Sequence, residues 1–133
     1  MVSMSFGEKI LREAPIPNPH LSGDARQFEA EYSLFLEHCA WRIENQTQII
    51  CGSTDDNSND GPMVMGLRIL IGRQVEAIEL SPVSCDLLMS FSSGVILRVF
   101  CDQLNMADEF DNYTFFQPNS RFVVGTHSRL SRE

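Results

Sequence analysis

The second half of the chain alternates in short apolar runs separated by turn residues. Val75, Ala77 and Glu79 interleave with Glu76, Ile78 and Leu80 over Val75–Leu80. Apolar runs follow over 86–91 and 95–101, separated by Ser92-Ser93-Gly94. After an acidic break, 113–116 and 122–124 repeat the pattern. Short runs bounded by Gly, Asn, Asp and Ser predict consecutive antiparallel strands, a meander or half-barrel. Ser92-Ser93-Gly94 is expected to close a tight hairpin, with Gly94 at positive φ.

The first half reads differently. Residues 5–14 predict a short helix: Ser5 as N-cap, Glu8 three residues on, and Phe6, Ile10 and Leu11 on one face. Pro15, Pro17 and Pro19 end it, because each proline pushes its predecessor out of helical geometry. Residues 20–24 read as loop. Segment 27–45 admits two readings. Phe28, Tyr32, Phe35, Leu36, Cys39 and Ile43 fall at helical spacing, while Tyr32, Leu34 and Leu36, then 40–44, alternate as strands. Asn45-Gln46 looks like a turn, 47–51 a strand, 52–62 a polar loop and 63–70 a helical turn or more. The whole is one α+β, mostly β domain over 1–133. A helix and Pro-rich loop occupy 1–26 and a β-rich body 27–133. Trp41, among Leu36, Cys39 and Ile43, is expected in the core.

Composition narrows the function classes. No apolar run approaches the roughly 20 residues of a membrane helix, and the first residues lack the pattern of an export signal. A cytoplasmic protein is expected. Cys39, Cys51, Cys85 and Cys101 form no C-x-x-C pair and read as reduced thiols. The formal net charge of −8 argues against nucleic acid and anionic membranes as partners. It suits a basic protein partner, whose opposite potential speeds association.

Reactive constellations do not emerge. Asp56-x-Ser58-x-Asp60-Gly61 begins like a calcium loop, but Leu67 stands where the bidentate glutamate belongs. His20, His38 and His127 have no i, i+4 partner, and the glycines form no phosphate cradle. No catalytic residue, cofactor or metal is expected. The candidate partner-binding residues are Asp102, Asp108, Glu109 and Asp111, with Asp55, Asp56 and Asp60. Tyr113 joins them as an aromatic anchor if it is exposed.

Ala40-Trp41-Arg42-Ile43-Glu44, Gly52-Ser53-Thr54-Asp55 and Leu70-Ile71-Gly72-Arg73-Gln74-Val75 resemble successive blocks of a family of small bacterial β-rich proteins. Asp86-Leu87, Phe91-Ser92-Ser93-Gly94, Leu97-Arg98-Val99-Phe100, Asp111-Asn112-Tyr113 and Val124-Gly125 continue the resemblance across 34–132. Such domains are similar to immunity proteins of bacterial toxin systems, including contact-dependent growth inhibition. The resemblance implies strands for 27–45, and it implies a non-enzymatic protein that binds and neutralises a cognate toxin, a basic nuclease domain for example. The alternatives are a structural or self-associating β domain without a toxin partner and a small hydrolase with a cryptic site.

Overall fold

In a computed structural model, residues 1–102 and 110–133 are described. Their strands form two antiparallel five-stranded sheets. The first contains β1 (Val2–Leu11), β2 (Phe28–Leu36), β8 (Tyr113–Gln117), β9 (Ser120–Val124) and β10 (Leu130–Arg132), in the order β1-β2-β8-β9-β10. The second contains β3 (Ala40–Glu44), β4 (Ile49–Gly52), β5 (Val75–Leu80), β6 (Leu87–Phe91) and β7 (Ile96–Phe100), in the order β4-β3-β7-β6-β5. Two short helices, α1 (Gly23–Gln27) and α2 (Pro62–Arg68), complete the regular structure. Both sheets are open. No helix among the described residues is long and apolar enough to cross a membrane.

The second sheet holds the expected meander. β5, β6 and β7 are consecutive and paired, with Leu87 opposite both Leu80 and Val99. The β6–β7 turn closes with Phe91 N donating to Val95 O at 2.8 Å. Gly94 lies at φ +74° and Ser93 at φ +65°. The meander does not run on, however. After β7 the chain leaves for the first sheet, where β8 pairs with β2 in the register Ser33 to Phe116.

The expected helix over 5–14 is a strand. β1 runs antiparallel to β2 from Val2 opposite Leu36 to Leu11 opposite Phe28, with a bulge between Phe6 and Lys9 where Gly7 takes φ +79°. Val2, Met4 and Phe6 pack against the core at a period of two. Pairing along a whole strand overrides a capping spacing, because helix propensity is a weak prior. The short N-terminal helix is α1 instead, capped by Ser22, whose Oγ accepts from Ala25 N at 3.1 Å. Segment 27–45 resolves into β2 and β3.

One apolar cluster joins the sheets. Leu34, Leu36, Tyr113 and Val124 from the first meet Trp41, Ile43, Leu87, Met89, Phe91, Leu97 and Val99 from the second. Trp41 is 5% exposed. At the corner where the chain crosses between sheets, Glu37 N donates to Asn112 O at 3.0 Å and His38 N to Asp111 O at 3.2 Å. Asn112 is fully buried, its N donating to Val124 O at 2.7 Å and its Nδ2 to Gly125 O at 2.8 Å. On the outer face of the second sheet, Arg42 lies opposite Arg98. Glu44 bridges them, at 2.7 Å from Arg98 Nε and 3.0 Å from Arg42 Nε.

Candidate functional site

The sequence-derived acidic residues occupy two separate connections. Asp102 and Asp111 flank the β7–β8 link; Asp108 and Glu109 lie outside the described residues. Asp102 is exposed. Asp111 is half-buried and lines a pocket of about 290 Å³ with Arg121, Arg129 and Glu133.

Tyr113 does not serve as an exposed anchor. It is 3% exposed and its hydroxyl donates to Cys85 O at 2.8 Å. Strand parity turns it inward, and a buried phenol needs that partner. Burial also pushes its ionisation up from the ordinary value. Phe110 is the exposed ring of this segment, packed on His38 at 4.5 Å between centroids.

Asp55, Asp56 and Asp60 lie between β4 and α2, where two of them hold the loop together. Asp55 Oδ2 accepts from Gly52 N at 2.7 Å. Asp56 accepts from Ser58 N at 2.9 Å and Ser58 Oγ at 3.0 Å, and these bonds hold its carboxyl below the usual range. Asp60 is 87% exposed, 4.0 Å from Arg68.

Burial raises three of the thiols. Burial, reinforced by Asp102, pushes the Cys39 thiol up to about 12; burial with Asp86 does the same for Cys101, and burial with Asp55 pushes Cys51 up to about 11. Nucleophilic cysteines need the opposite shift. Among the described residues, no group of three or more His, Cys, Asp or Glu side chains is placed to hold a metal ion.

A second concave feature was not anticipated from the sequence. A mostly apolar cleft of about 1120 Å³ opens between β1, an edge of the first sheet, and β5, an edge of the second. Phe6, Met89, Phe91 and Phe115 line it from the two sheets, and α2 with residues 70–74 lines it from the side. The helix is fixed against β4 by Gly66, where an added Cβ would fall within 2.7 Å of Cys51 Cβ. Arg73 ties the adjoining segment down, its Nε donating to Ile69 O at 2.9 Å and its Nη1 to Ser92 O at 3.2 Å.

Every residue of β5 is exposed. Its pairing explains why alternation concealed this. A register shift between Val75 and Ala77 leaves Glu76 as an extra residue. Val75, Ile78 and Leu80 then share the side of buried Phe91, Met89 and Leu87, while Ala77 and Glu79 take the outer side with Ser90 and Leu88. The signal in the sequence was Val75, Ile78 and Leu80 themselves, out of phase with a strict period of two. No family model, curated protein or solved structure matches the chain.

Proposed function

We propose that the chain is a non-enzymatic, cytoplasmic binding protein of the immunity type, which neutralises a cognate toxin domain by covering a basic surface such as the substrate cleft of a nuclease. The observation that carries this reading is the disposition of charge. Eighteen acidic side chains stand against ten basic ones. Among the described residues, Lys9, Arg12, Arg42, Arg68, Arg98 and Arg121 all lie in ion pairs with the chain's own carboxylates. Arg26 and Arg73 donate to backbone carbonyls, and Arg132 lies over the Phe122 ring. Nine of the ten cations are engaged internally, all but Arg129, so the field offered to a partner is dominated by the surplus carboxylates. Such a field draws in a basic domain and repels nucleic acid.

The test is to express the chain together with any toxin domain found encoded beside its gene. The expected result is a purified complex, loss of the toxin's activity and an association rate that falls as salt rises. A neighbouring toxin that neither binds nor loses activity overturns the reading.

A further inference from the structure

Four strands have a free edge among the described residues: β1, β4, β5 and β10. Native sheets blunt such edges. β4 has four residues with α2 against it, and β10 has three. β1 and β5 border the cleft from opposite sheets, and they differ. The inward side chains of β1 are half-buried against the core. Those of β5 are not: Val75 is 36% exposed, Ile78 50% and Leu80 50%. β5 therefore presents an unpaired backbone edge beside an apolar side that the described residues only partly cover.

We infer that β5 accepts an extended segment of a partner protein as an added strand, with apolar side chains turned into the cleft and basic side chains on the outer face beside Glu79. This rests on the reading of the chain as a protein-binding module and gives that module a place and a partner chemistry. An added strand supplies backbone hydrogen bonds to the edge, and alternate side chains supply specificity. Residues facing Ile78 and Leu80 continue the side that holds Met89 and Leu87, so they must be apolar. Charge decides the occupant. A second copy pairing antiparallel about Ile78 brings the two Glu79 side chains to the diagonal of one face, and pairing about Glu79 sets them directly opposite; like charges so placed destabilise a ladder. Lysine or arginine at those positions reverses the sign. The cations near the cleft, Arg68 and Arg73, line it on the apolar side of β5 and not on the outer face with Glu79.

The probe is an acetylated, amidated seven-residue peptide alternating valine and lysine, titrated into the isotope-labelled full chain. The expected result is amide shifts confined to Val75–Leu80 and the cleft, with new exchange protection at 77–80. Replacing the lysines by glutamates should weaken binding by at least about tenfold through like-charge repulsion. Glu79→Lys should lower affinity for the lysine peptide and raise it for the glutamate peptide, a reciprocal change that simple misfolding would not produce. Shifts elsewhere, no shifts, or equal binding of a peptide with a central proline would overturn the inference. So would protection of 77–80 in the free chain at concentrations where it sediments as a dimer, which assigns the edge to a second copy. A toxin complex whose β5 amides stay unprotected overturns this placement and leaves the immunity reading standing. A peptide that occupies β5 while no toxin binds keeps the edge site and removes the toxin.

Discussion

β5 and β6 are neighbours in one sheet, yet they live in different solvents. β6 buries Leu87, Met89 and Phe91 to 5% exposure or less, while β5 is exposed along its whole length. Their sequences differ little in apolar content. The difference is cover: the first sheet roofs β6 and stops at β1, leaving β5 one strand beyond it. Stability and exposure are therefore assigned by position in the sandwich more than by residue type, and substitutions on the two strands should separate cleanly.

The largest effect belongs to the covered side. Trp41→Ala should cost about 3–5 kcal/mol in urea unfolding, because a buried indole leaves a cavity its neighbours only partly fill. An equivalent loss on Ile78→Ser would erase the contrast; that change should stay under ~1 kcal/mol. Asn112→Ala comes next, at about 1–3 kcal/mol, since it strips the partner from Gly125 O at a buried corner. Gly66→Ala tests whether the helix beside the cleft is fixed. Its Cβ would press into Cys51, and overpacking of this kind costs about 1–3 kcal/mol. If that variant is neutral, α2 can shift and the cleft has no rigid wall.

The smallest effect lies on the outer face of the second sheet. The hydrogen bond from Arg98, followed by those from Arg42, holds the Glu44 carboxyl below its ordinary range. A depressed acid stabilises the fold above its unfolded-state value and ceases to do so as pH falls through the lowered folded-state value. Glu44→Gln should therefore cost about 0.2–1 kcal/mol at neutral pH, since Arg42 and Arg98 are partly solvated. The deficit should vanish in acid. A deficit that persists at low pH would place the effect in packing instead.

The strands of the meander were readable because in β6 and β7 alternation coincides with burial. Leu87, Met89 and Phe91 point one way and Leu88 and Ser90 the other. β1 was not, because Ser5 and Glu8 imitate a helix start while its pairing partners on β2 lie beyond the Pro-rich loop, from Leu11 with Phe28 to Val2 with Leu36. β10 is too short to show a period. The division into two sheets depends on Ser33 meeting Phe116, which no local pattern encodes. The acidic character of the candidate surface was plain from composition. Which carboxylates face outward was not, since Asp55 turns toward a backbone N–H of its own loop while Asp56, bonded to Ser58, stays exposed. Whether Tyr113 is exposed was left open, because parity along β8 follows from its register with β2.

The two sheets also differ in how they draw on the chain. The second is built from one continuous stretch, residues 40–100, whereas the first joins both ends, 2–36 and 113–132. A growing polypeptide can assemble the second sheet before the last strands exist, but the apolar face of that sheet must wait for β8 and β9 to be made. Pulse-labelled exchange during refolding should show β6 and β7 amides protected ahead of β2 and β8. In the interval β1 and β2 are the only strands of the first sheet yet made, and the apolar surface that β8 and β9 will cover is bare, so synthesis itself, more than the finished fold, is the moment when this chain is most exposed to aggregation.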